Sequence, residues 1–168
     1  MKMASKLVLV LVAAVGLTLS SSSTVRSHCE IPCGIYGDQM RIMMLYEHIA
    51  TVEKSMAQIG AMMEQDPPNA NQVVRWVNNK EKHADEIQHI VTQYFMTQRV
   101  KPQAPATAEH GKYIVQLTSL HGMLIQAMKC KQTTDATHCK ELRTLVDRFA
   151  EAYFNAEDLK HVREHHKG

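Results

Sequence analysis

The stretch His28-Cys29-Glu30-Ile31-Pro32-Cys33-Gly34 packs an imidazole, two thiols, a proline and a glycine together. In a chain beginning at His28, that residue would offer a free α-amine as well as its ring. Cys29 would add a backbone amide nitrogen and a thiolate, both in small chelate rings with the amine. Cys33, four residues on, can return a second thiolate if the backbone turns back. Pro32 fixes its own φ and is the common host of a cis peptide, while Gly34 permits a close backbone approach, so that return is feasible. Two nitrogens and two sulfurs in a plane, with an imidazole above, form a tetragonal site. Such a site points to Ni or Cu(II), whereas tetrahedral sulfur-rich sites point to Zn. Binding through the amide requires loss of its proton, which Ni(II) and Cu(II) promote. Anionic thiolate and amidate donors would also stabilise Ni(III), so the site suits one-electron redox chemistry.

The residues ahead of His28 supply a way to expose that amine. Met1-Lys2-Met3-Ala4-Ser5-Lys6 is basic, Leu7 to Leu19 is an apolar run of thirteen, and a serine-rich stretch ends Val25-Arg26-Ser27. This is the layout of a secretory signal peptide, and the run is shorter than the ~20 residues of a comfortable membrane span. Cleavage after Ser27 leaves Val25 at −3 and makes His28 the new terminus. The expected division is therefore 1–27, a removed leader, and 28–168, the mature domain, exported and without stable membrane association. Loss of Lys2, Lys6 and Arg26 takes 19 basic residues to 16 against 17 acidic, a net charge of −1 with His neutral. A nucleic-acid partner would want a strong basic excess.

The rest of the chain must position the turn, and its pattern is helical throughout. Asp38 is placed as an N-cap. From it, Met40, Met43, Met44, Ile49, Val52, Met56, Ile59 and Met63 recur at mostly three- and four-residue intervals, ending near Asp66-Pro67-Pro68. Methionine fills irregular gaps between helices, so this stripe reads as core rather than as a copper site. A second helix runs from about Asn71 to Gln98, burying Val73, Val74, Trp76, Val77, Ala84, Ile87, Ile90, Val91, Tyr94 and Phe95. A third spans roughly Thr107 to Lys129, with Ile114, Leu117, Leu120, Leu124 and Met128 inward. After a loop over Lys131 to His138, a fourth carries Leu142, Leu145, Val146, Phe149, Tyr153 and Leu159. The expectation is an all-α fold, an antiparallel up-down four-helix bundle preceded by an N-terminal metal-binding hook.

His-Cys-x-x-Pro-Cys-Gly-x-Tyr, present as His28 to Tyr36, resembles the N-terminal nickel hook of the nickel superoxide dismutases. The stretches Lys80-Glu81-Lys82-His83-Ala84 and Gln93-Tyr94-Phe95 are similar to that family's second helix. The resemblance implies dismutation of superoxide to oxygen and hydrogen peroxide, with one nickel ion per subunit cycling between Ni(II) and Ni(III). It implies as ligands His28 (α-amine, and imidazole in the oxidised state), Cys29 (amide nitrogen and thiolate) and Cys33 (thiolate). Tyr36 matches the tyrosine that borders the open axial face and restricts larger anions, and Pro32 the proline that turns the hook. A homohexamer of bundles is implied. Departures from the family pattern are also present. Gly37 intervenes between Tyr36 and Asp38, Ile42-Met43-Met44 stands where some members carry a glutamate, and His83 falls near the place of an arginine. Those two family residues hold the axial imidazole, so His83, Glu47 or a neighbouring subunit would substitute here.

Other classes compete. Cys29 and Cys33 alone would favour a disulfide, which oxidising compartments allow. His28, Pro32, Gly34 and Tyr36 beside them, and a cleavage point where the amine is needed, favour the metal. A carrier would use the same hook to hand on nickel or copper without turnover. A disulfide-stapled helical interaction module would bridge Cys29–Cys33 and Cys130–Cys139. The second of these bridges, closing the loop between the third and fourth helices, is expected in any case. His161 and His165, one helical turn apart, read as a solvated terminus.

Overall fold

The computed structural model describes residues 37–166. The leader expected over 1–27 and the hook over 28–36 lie outside the described residues. Those described are helical, with no strand among them. Helix α1 is Asp38–Met63, α2 is Ala70–His89, and a π-helical segment, Ile90–Arg99, continues α2 without a break. Helix α3 is His110–Gln132, α4 is Thr137–Tyr153 and α5 is Ala156–His166. No helix among the described residues is long and apolar enough to cross a membrane.

The four long helices pack in a closed cycle: α1 on α2, α2 on α3, α3 on α4, and α4 on α1. The connections at 64–69 and 133–136 are short, as expected between sequential helices that lie side by side, and the one at 100–109 is longer. Helix α5 folds back on α1, and the π segment lies against α3. The shared core is built from Ile42, Leu45, Ile49 and Val52 of α1, Ile87 of α2, Val91 and Phe95 of the π segment, Leu120 and Met123 of α3, and Leu142, Val146 and Phe149 of α4. Phe95 and Phe149 meet edge to face at 4.8 Å between ring centroids, a preferred aromatic geometry.

Several sequence expectations shift. The α1 stripe is rotated towards Ile42 and Leu45, both fully buried, while Met40 and Met63 at its two ends are exposed. The first turns of α2 contribute less than expected, because Val74 is exposed and Val73, Trp76 and Val77 are only half-buried. On α3 the inward face is Ser119, Leu120, Met123, Ala127 and Cys130, whereas Ile114 and Met128 face solvent. Small residues let α4 come close there. A Cβ at Gly122 would stand 3.0 Å from the methyl groups of Leu145.

The expected fourth helix divides in two. Its break falls at 154–155, where Asn155 starts α5 by accepting from the amide of Asp158 at 2.9 Å. Thr107, expected to open α3, sits in the turn before it, and α3 runs on through Gln132. Asp38 is not an N-cap. Gly37 holds that position, no side chain caps the helix, and Asp38 is its first residue.

Candidate metal centre

The residues expected to hold a metal or border it, His28, Cys29, Cys33 and Tyr36, lie outside the described residues. Among the described residues no group of three or more His, Cys, Asp or Glu side chains could hold a metal ion. The donor set expected from the sequence is the one to weigh against the metal. Two thiolates with an amine, an amide and an imidazole suit nickel by ligand softness and by preference for tetragonal nitrogen–sulfur coordination. The structure describes the platform to which that stretch is joined, beginning at Gly37.

Asp38, two residues beyond Tyr36, is the centre of this platform. Its Oδ1 accepts from the Tyr94 hydroxyl at 2.5 Å. Its Oδ2 accepts from the Tyr153 hydroxyl at 2.6 Å and from Arg99, through Nη2 at 2.6 Å and Nε at 3.1 Å. Burial pushes the Asp38 carboxyl up, but the hydrogen bonds from Tyr153, Tyr94 and Arg99 outweigh it and the carboxyl ends below its ordinary value. Burial first, and then the bond to Asp38, pushes Tyr94 and Tyr153 each up to about 12. The hydrogen bond to Asp38 holds Arg99 protonated even more firmly than usual. Arg41 covers the Tyr94 ring at 4.8 Å, a cation–π contact. The next residue is also tied: Gln39 donates through Nε2 to Asp158 of α5 at 2.7 Å.

Two open cavities flank this cluster and share Lys112 and Tyr153. One, of about 420 Å³, lies over Asp38, Gln39 and Asp158. The other, of about 250 Å³, is lined by Arg99, Lys101, Lys112 and Glu109 among others.

Of the candidates for steadying the hook, Glu47 is exposed on α1. His83 is half-buried on α2, and its Nδ1 lies 2.9 Å from Nδ1 of His48 on α1, one ring donating to the other. Nε2 of His48 is buried without a hydrogen-bond partner among the described residues. Burial, and then the charge of His83, lowers the pKa of His48. The sequence signals singled out His83 but not the residue it pairs with. They also gave no sign of the Asp38 cluster, whose donors lie 56, 61 and 115 residues away.

The expected Cys130–Cys139 bridge is absent. Both residues are free and fully buried, with their sulfurs 3.9 Å apart, far beyond the ~2.05 Å of a disulfide. Cys139 Sγ also lies 3.8 Å from Met56 Sδ. The loop is held instead by Lys80, a buried lysine whose ammonium donates to the Cys130 carbonyl at 2.7 Å and to the Lys131 carbonyl at 2.5 Å.

A search of curated proteins and a search of solved structures found no match. A family model did: nickel-containing superoxide dismutase, matched over residues 23–157. That span takes in residues 28–36 and all of α1 to α4, with only the first two residues of α5, so the chain belongs to the nickel-containing superoxide dismutases, oxidoreductases with nickel as cofactor and superoxide as substrate.

Proposed function

We propose that His28, Cys29 and Cys33 hold the nickel of this enzyme. The α-amine and ring of His28, the amide and thiolate of Cys29 and the thiolate of Cys33 form the ligand set. One observation carries the reading. The family match begins ahead of His28 and runs to residue 157, so this donor set and the helical body fall within one matched segment. Bound there, nickel supplies one-electron chemistry by alternating between Ni(II) and Ni(III). In the net reaction one superoxide gives up an electron to become O2, and a second takes an electron and two protons to become H2O2.

The chain's own residues do the rest. Tyr36 would limit access to the metal by larger anions. His83, whose Nδ1 lies 2.9 Å from that of His48, is the residue we assign to steadying the His28 ring. Removal of residues 1–27 frees the α-amine, which makes the mature protein an exported one. The closed cycle of α1 to α4, with two of its three connections short, supports an antiparallel up-down four-helix bundle, which would assemble as a homohexamer.

Comparison of protein beginning at His28 with protein retaining Ser27, both loaded with nickel, tests the reading. Superoxide decay and the Ni(III) EPR signal are expected only in the His28-started form, and Cys33→Ser is expected to abolish nickel retention. Nickel binding without superoxide removal in either form would instead make the protein a carrier.

A further inference from the structure

Residues 90–99 are wound as a π-helix over their whole length, a form rare in proteins and frequent at functional sites. Bonds spanning five residues run along the segment. Val100 N–H donates to Phe95 O at 2.8 Å, Thr97 Oγ1 to Thr92 O at 2.7 Å, and Gln98 Nε2 to Gln93 O at 2.9 Å. The winding decides where Tyr94 and Arg99 point. Five residues apart in an α-helix, at 3.6 residues per turn, they would diverge by roughly 140° around the axis. Closure over five residues brings them to nearly the same face, and both reach the one carboxylate of Asp38.

Asp38 meanwhile makes no local use of its carboxylate. An aspartate at a helix start commonly caps the open amides, yet here no side chain caps α1. The carboxylate instead takes four hydrogen bonds from three side chains on the π segment and α4. Gln39 repeats the pattern towards α5. Gly37 leaves room for this, because a Cβ there would stand 2.5 Å from the Gln39 amide oxygen. Two consecutive residues at the entry to α1 are thus tied across the molecule rather than along their own helix.

What enters at this point is the donor stretch. Cys33 is five residues from Asp38, a reach of at most ~18 Å even fully extended. We propose that Asp38, clamped by Tyr94, Arg99 and Tyr153, is the positioning residue of the nickel hook. It fixes the bundle end of the chain that carries the ligands, so that the Cys33 donor returns to one place. This rests on the ligand set of the preceding section. Ordering a short chelating loop costs conformational entropy when it closes on a metal. An anchored end has already met part of that cost, so the anchor acts on nickel retention rather than on the chemistry itself.

The experiment uses the full chain matured to begin at His28, with nickel added and affinity read by competition with a chelator. Wild type is compared with Asp38→Ala, Tyr153→Phe, Cys33→Ser and, as a control away from the clamp, Glu53→Gln, which breaks the ion pair with Arg143. Helix content by circular dichroism and the Ni(III) EPR linewidth are recorded well below the melting temperature. Asp38→Ala is expected to weaken nickel retention at least tenfold and to broaden the EPR signal with helix content unchanged, while Glu53→Gln leaves both readouts alone. Tyr153→Phe, which removes a single hydroxyl, gives a smaller shift in the same direction and answers the question if Asp38→Ala does not fold. Wild-type affinity and linewidth in the Asp38 and Tyr153 variants, with nickel lost in Cys33→Ser, overturn the clamp alone. Nickel binding indifferent to Cys33→Ser overturns the hook reading, and the clamp with it.

Discussion

Lys80 of α2 donates from its ammonium to the carbonyl of Cys130 at 2.7 Å, and so closes the end of a helix fifty residues further along the chain. Cys130 and Lys131 belong to the last turn of α3, where carbonyls have no partner within the helix. A cation there also meets the negative end of the helix dipole. The ammonium is almost wholly buried and takes Glu81 as its counter-ion at 3.0 Å. Lys80→Met would leave two carbonyls without a donor, so it is expected to cost about 2–3 kcal/mol. Chemical denaturation would read this as a lower midpoint at unchanged slope.

The Asp38 cluster sets limits on stability at both ends of the pH scale. Its carboxyl has a depressed folded value. The contribution is therefore present above the unfolded value and is lost as pH falls through the folded one. Tyr94 and Tyr153 are raised, each to about 12. Their contribution is complete below the ordinary tyrosine range and is lost as pH climbs through the folded value. Melting temperature against pH should fall on the acid side below ~4 and on the alkaline side between ~10 and ~12. Asp38→Asn should flatten the acid limb and only lessen the alkaline one, because burial is the first cause of the raised tyrosines. A variant with the wild-type profile would show that other groups set them.

His48 gives a third pH response, nearer neutrality. Its folded value lies below the ordinary one because burial, and then His83, disfavours its charged form, while Glu86 on α2 and Glu47 on its own helix oppose the shift. Stability from this site is present above the unfolded value and is lost as pH falls. The difference in denaturation midpoint between about pH 7.5 and about pH 5 should shrink in His48→Gln. An unchanged difference would assign the acid sensitivity elsewhere.

Cys130 and Cys139 should behave as core residues. The hydrogen bond with Cys130, followed by burial, pushes the Cys139 thiol far up, which suppresses the reactive thiolate. In a Cys29→Ser/Cys33→Ser background, alkylation of both thiols is expected only after unfolding, and reductant should leave the melting temperature unchanged. A fall in melting temperature on reduction would reveal a bridge.

Periodicity made the helices legible, along with the centre of each buried face. Ile49, Val52, Met56, Ile87, Leu120, Leu142 and Phe149 were all placed inward from spacing alone, and all are buried. The ends of the stripes were not legible. Met40, Met63, Ile114 and Met128 continue an apolar spacing past the point where a neighbouring helix covers it, and spacing carries no information on where the neighbour stops. On α3 two apolar rows overlap, and the buried one was chosen by close packing of small residues rather than by hydropathy. The proposed ligands are close together in sequence, so the sequence alone could suggest them, and they lie outside the described residues. The clamp was not legible, because Asp38, Tyr94, Arg99 and Tyr153 come together only through tertiary structure. Asp38 also sits where an aspartate has an ordinary local use.

The winding of residues 90–99 bears on how this enzyme tolerates changes in length. Residues four apart share a face of an ordinary α-helix, so a chain with one residue fewer between Tyr94 and Arg99 could grip Asp38 without π winding. Met96, partly exposed between them, is the natural residue to remove. The segment thus behaves as a helix that has absorbed an insertion by widening its turns, with no displacement of what it holds. Deleting Met96 should restore i→i+4 bonding over this stretch and leave nickel retention intact. Relatives differing by a single residue here would then keep the same anchor under two different backbones.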